Sequence, residues 1–383
     1  MKPNLFHRQR YQARATLAAL AFLVLGLFGA AGAASEGAAV RALPSLSSAS
    51  PGNGYPGERW EKYASPEAAG FSNEGIAAVL EYVKSMGTTG LVVVCDGKIL
   101  FDYGQTSELS YLASVRKSVL AMLYGKAVAD GRIRLDKTLA ELKITDLGGL
   151  SDQELEATIA DLLSARSGVY HPASNAGDYL ASAPPRGSQK HGTYFLYSNW
   201  DFNALGTIFE QETGRNIYDA LEQDLARPLQ MEDFKRDAQQ KDGDLTRSIH
   251  PAYHIWLSTR DMARLGHLML REGEWNGRPV VSREWIRKIT SPITRSSQMN
   301  PEGLRNGRFG YGYLWWVFDG PRAVGPFEGA YSGWGAYGQY ITVFPKLKLV
   351  VAHKVNPEAT QKTVSMDQYL TLLDKIVAAR AGK

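Results

Sequence analysis

Tyr111-Leu112-Ala113-Ser114-Val115-Arg116-Lys117-Ser118-Val119-Leu120 decides how the rest of the chain is read. A short aromatic and apolar stretch passes here into a helical pattern, and the spacing predicts a helix over Val115–Asp130. Ser114 and Lys117 stand three residues apart, which on a helix puts hydroxyl and ammonium on one face, one turn apart. A helix N-terminus carries partial positive charge. Together with burial, that charge lowers a lysine pKa until a neutral amine can take a serine proton. Alone, the pattern is weak and is better read as a capping serine beside a surface lysine.

Two further elements change that balance. Tyr197-Ser198-Asn199 is the chain's single Tyr-x-Asn, as Ser114–Lys117 is its single Ser-x-x-Lys. It follows a Pro/Gly/Lys-rich loop and precedes a helical pattern over Asn203–Thr213, so a phenol and an amide can point into one cleft. The plain alternative is a loop tyrosine beside a capping asparagine. The third element is the glycine-rich run Gly329–Gln339, opening a strand. Glycines there permit close backbone approach to a ligand, and an edge N–H could complete an oxyanion hole. A bulged sheet edge with packed aromatics is the competing reading.

Outward from these motifs, both chain ends read as strands. Leu91–Cys95, Asp96-Gly97 and Lys98–Tyr103 form a hairpin signal. Tyr337–Phe344 and Lys348–Lys354 are strand-like runs joined at Pro345-Lys346-Leu347. Amphipathic helices are expected over Asn73–Met86 and Ser365–Ala379, and further helices over Leu155–Leu163 and Thr259–Arg271. The expected fold is α+β: an antiparallel sheet built from both chain ends, about 59–112 and 310–383, flanked by terminal helices. A mainly helical lobe, about 113–309, would be inserted into it.

The chain has 43 Lys and Arg against 39 Asp and Glu, and Lys2, Arg8, Arg10 and Arg14 supply that whole excess of four. Beyond residue 33 the charges balance, which argues against a nucleic-acid footprint. The basic start, the apolar run Leu17–Ala31 and Ala31-Gly32-Ala33 read as a signal peptide over 1–33 with its cleavage site. The run falls short of the roughly 20 residues of a membrane span. Residues 34–58, small and Pro/Gly-rich, suit a flexible linker before a domain over 59–383. An exported chain, periplasmic or secreted, with no stable membrane span after cleavage is expected. Cys95 is its only cysteine, so no internal disulfide can form. His250 and His254 have i, i+4 spacing, but Pro251 spoils the helix, and a pocket wall or loop suits them better than a metal.

In this order and at these separations, the three motifs resemble those of the serine β-lactamase and penicillin-binding-protein superfamily. The match is to its class C-like branch, with family VIII carboxylesterases and 6-aminohexanoate-dimer hydrolases. Supporting phrases include Leu162–Gly168, Ala226-Arg227-Pro228-Leu229 and Ser258–Arg264, over roughly residues 60–355. The resemblance implies Ser114 as acylated nucleophile, Lys117 as its base, and Tyr197 as proton relay. It implies that Asn199 holds Lys117 and touches substrate, and that a strand N–H from Trp334–Tyr337 joins Ser114 N–H in the oxyanion hole. β-Lactamases carry Lys-Thr-Gly at that strand, and no such triplet exists here. Either Trp334-Gly335-Ala336 or Gly333-Trp334-Gly335 takes its place. The expected activity is a serine hydrolase acting on a small ester or amide without cofactor or metal. A β-lactamase, a D-amino-acid peptidase and a sensor without turnover are the alternatives on the same fold.

Overall fold

Gly90–Cys95 is buried at every position, so its backbone must find partners on both sides, and it forms an inner strand, β1. Asp96 and Gly97 both take positive φ, the two-residue turn that matches strand twist, and lead into β2, Lys98–Gly104. The remaining sheet comes from the other end of the chain: β3 (Phe309–Tyr311), β4 (Trp316–Phe318), β5 (Tyr331–Gly335), β6 (Gln339–Phe344) and β7 (Leu349–Lys354). This computed structural model describes residues 54–305 and 307–380. Among them these strands make one antiparallel sheet in the order β2-β1-β7-β6-β5-β4-β3. The expected leader, and the linker up to residue 53, lie outside the described residues.

Five helices position the site: α1 (Asn73–Ser85), α2 (Val115–Ala129), α3 (Asn199–Thr213), α4 (Thr259–Leu270) and α5 (Met366–Ala378). Side chains alternate along β6, and the alternation sorts the helices onto two faces. Tyr340 stacks on Tyr369 of α5 at 3.7 Å, and Thr342 Oγ1 meets the Tyr369 hydroxyl at 2.7 Å. Ile341, pointing the other way, packs against α4, where a β-carbon on Gly266 would lie 2.9 Å from it. Helix α1 lies along α5: Gly75 has room for no β-carbon beside Ala379. Helix α2 is buried on nearly all sides, which is how a central helix between layers reads.

Several expectations are corrected in detail. Leu155–Leu163 is two short helices, Asp152–Leu155 and Ile159–Leu163. The first ends at its cap residue Glu156, and Thr158 caps the second by exchanging hydrogen bonds with Asp161. Helix α3 begins at Asn199 rather than Asn203, and β6 begins at Gln339 rather than Tyr337, because Ala336–Gly338 forms a tight turn with Tyr337 at φ +69°. The middle of the chain is not wholly a separate helical lobe, since α4 covers the sheet beside β1, β6 and β7. No helix of the described residues is long and apolar enough to cross a membrane.

Candidate active site

The stretch before α2 is held from three directions. Ser110–Tyr111 pairs with Trp256–Leu257, Leu112 N–H donates to Ile255 O at 2.9 Å, and the buried Lys354 amine donates to Ser110 O at 2.8 Å and to Leu257 O. Ala113 then adopts φ +48°, a strained conformation for a residue with a β-carbon, and delivers Ser114 to the first turn of α2. Strain of this kind survives only where the surroundings over-determine it, and here they do.

Lys117 is buried and makes three contacts: Ser114 Oγ at 2.9 Å, Tyr197 OH at 2.7 Å and Asn199 Oδ1 at 2.7 Å. Burial, and next the Arg116 charge, hold its pKa well below the usual lysine range, with Asp178 opposing. A neutral amine has two hydrogens and one lone pair. Asn199 Oδ1 can only accept, so it takes one hydrogen. The Tyr197 oxygen takes the other, and the lone pair is left facing the Ser114 hydroxyl. Burial drives Tyr197 the opposite way, well above the usual phenol range, with its hydrogen bond to Ser114 as the first opposing influence. The site thus sets an amine that burial biases towards its neutral form and a phenol that burial biases towards its protonated form on one serine. Such a pair can take up one proton and give it back.

Ser114 and Tyr197 open onto a small cleft of about 280 Å³ lined also by Gly177, Asp178, Tyr179, Trp316, Trp334, Gly335 and Ala336. Trp316 stacks on Tyr197 with centroids 5.6 Å apart, and its ring lies tilted against Trp334 with centroids 4.7 Å apart. Two glycines of β5 bring the strand against α2. A β-carbon on Gly333 would lie 3.1 Å from Ser118 Oγ, and one on Gly335 would lie 2.6 Å from Leu112 O and 3.0 Å from Ser114 N. Gly335 is therefore the glycine that the Ser114 backbone requires, and Ala336 is the residue that follows it along the cleft.

Ser114, Lys117, Tyr197, Trp334, Gly335 and Ala336 come together as expected, but two sequence candidates do not reach the cleft. Asn199 is buried behind it, with its Nδ2 donating to Ala176 O and its backbone N–H to Asp178. It orients Lys117 and is not among the lining residues. Tyr337 is 46% exposed and also absent from the lining, because the turn at φ +69° swings it outward. The structure adds Gly177, Asp178 and Tyr179, which sequence reading missed. Their loop is tied to α3 by Asn199 N–H on Asp178, Asn199 Nδ2 on Ala176 O and Asn203 Nδ2 on Asn175 Oδ1, across separations that no short motif encodes. His250 and His254 bond Thr145 O and Tyr111 OH, away from the lining.

The family model described as Beta-lactamase matches residues 77–374. The 6-aminohexanoate-dimer hydrolase of Paenarthrobacter ureafaciens is 24% identical over 290 residues, covering 69% of this chain and 71% of that protein. Among solved structures, a class C beta-lactamase superposes with TM-score 0.58 at 17% identity, covering 81% of this chain and 96% of that one. EstCE1, a hydrolase with promiscuous acyltransferase activity, gives 0.56 at 16% identity over 81% and 98%. At these identities the structural likeness speaks for the fold.

Proposed function

The chain belongs to the beta-lactamase family of serine hydrolases, and we propose that it cleaves small uncharged esters, and short linear amides, through an acyl-enzyme on Ser114. Ser114 Oγ attacks the acyl carbonyl as its proton passes to the neutral Lys117 amine. The C–O or C–N bond then breaks, and the leaving group takes its proton through the Tyr197 hydroxyl. Water attacks the acyl-enzyme with the same pair returning the proton to Ser114. The N–H groups of Ser114 and Ala336 are the oxyanion donors of this scheme. A leader with a basic start, an apolar run and an Ala-Gly-Ala site supports export of the mature chain.

The observation that carries the substrate class is the charge of the cleft. Where β-lactamases place a lysine, this chain has Gly333 in front of Trp334 and Gly335. No lysine or arginine is among the lining residues, whereas Asp178 is. Arg308, which could have supplied the missing cation, pairs with Asp367 instead. A charge-assisted contact contributes roughly 1.5–3 kcal/mol. Its absence costs a lactam carboxylate about 10- to 150-fold, and Asp178 adds repulsion. Trp316 and Trp334 offer apolar surface to a neutral acyl group instead. The test is kcat/KM for an aryl butyrate and a chromogenic cephalosporin on one preparation. The ester should be hydrolysed far more efficiently; equal or better efficiency on the cephalosporin would sink the reading.

A further inference from the structure

Arg116 is 1% exposed, yet among the described residues no carboxylate partners it. Its Nη2 donates to Asn203 Oδ1 at 2.8 Å, its guanidinium lies 4.3 Å from the centroid of the Tyr253 ring, and its Nη1 makes no hydrogen bond. An unpaired buried cation is costly, and an apolar residue of the same length would fill the space more cheaply. The adjacent residue is Lys117. Neighbours on a helix diverge, so guanidinium and amine share no contact and act on each other through the low-dielectric interior.

The groups around Lys117 do not cancel that charge. Tyr197, from the loop before α3, Tyr253, from the strand beside Arg116, and Tyr111, before α2, are all held in the phenol form by burial. His254 is pushed down to about 4 by burial first and by Arg116 next, so it is uncharged at neutral pH. Burial raises the Asp201 carboxyl on α3 well above the usual carboxylate range, with its hydrogen bond from Ser167 opposing. Asp178, on the cleft loop, is the one group that draws Lys117 back towards its charged form.

We propose that Arg116 is a positioning residue for proton transfer: its guanidinium, buried without a carboxylate and held on Asn203 and Tyr253, biases Lys117 towards the neutral amine that faces Ser114. This rests on the reading of Ser114 and Lys117 as nucleophile and base. Removing the positive charge lets Lys117 keep its proton to higher pH, so the acid limb of activity must move upward.

The experiment is kcat/KM for an aryl butyrate as a function of pH in Arg116→Gln, Arg116→Met and Arg116→Lys, each checked for cooperative melting. Gln and Met should shift the acid limb upward by about one pH unit, a loss of about tenfold at any pH on that limb, while the alkaline plateau changes much less. Lys, which keeps the charge, should retain the wild-type limb. A folded Gln or Met variant with an unshifted limb would overturn the proposal. So would an equal loss in Gln and Lys at every pH, which is the mark of a packing role. If neither neutral variant folds, Arg116→Lys decides: a wild-type limb upholds the proposal, and a limb shifted upward with the charge in place contradicts it. Fluorophosphonate labelling of Ser114→Ala reports separately on the nucleophile, so failure of that reading is told apart from an unshifted limb.

Discussion

Lys117 has three partners and, when neutral, two hydrogens, and that shortfall gives the amine a direction. Ser114, Lys117 and Tyr197 were legible as residues because each sits in a short motif whose spacing the local helix or turn fixes. Asp178 was not, since it reaches the cleft through loop closure onto α3. Asn199 was legible as a member but not in its place: the start of α3 takes it behind the cleft, where its two amide atoms are used on Lys117 and Ala176. Groups that pass one proton between them do not contribute independently. Lys117→Ala and Tyr197→Phe should therefore each lower kcat by about a thousandfold or more, and the double variant should fall little further. Losses that multiply in full would show that amine and phenol do not share the proton.

At the scale of elements, the sequence left two registers open for the glycine strand. The choice depends on which side of β5 meets α2, and no pattern along a single strand contains that information. Gly333 and Gly335 are two apart and so on one face: a β-carbon would be tight at Gly333 and would have no room at Gly335. The interruption before Ile159 goes with the local bonds between Thr158 and Asp161, and the early start of α3 with Asp178 accepting from Asn199 N–H across the loop; apolar periodicity registers neither. Gly335→Ala should push β5 away from Leu112 O and Ser114 N. A misplacement of this size costs about a hundredfold in kcat, and overpacking costs about 1–3 kcal/mol in stability. Gly303→Ala, where a β-carbon meets nothing within 4 Å, is the matched control and should be near neutral in both. Comparable activity in the two variants would remove Gly335 from the account.

For the whole molecule, the fold class was readable because the two ends of the chain carry β periodicity and the middle carries helical periodicity. Antiparallel pairing of β1 with β7, from Gly90 opposite Lys354 to Cys95 opposite Leu349, joins those ends. What could not be read was that α4, from the middle, covers one face of the sheet, because its apolar stripe would suit a helical lobe equally well. That assembly places the start of α2 between β5 and α3, and so sets a serine against a buried amine and a phenol. The claim that this serine is the acylated nucleophile is tested most directly by intact-protein mass spectrometry after brief exposure to a fluorophosphonate, with peptide mapping of the adduct. The account predicts one adduct per chain, on Ser114, in the wild type and none in Ser114→Ala. An adduct on another serine, or undiminished labelling of Ser114→Ala, would contradict it.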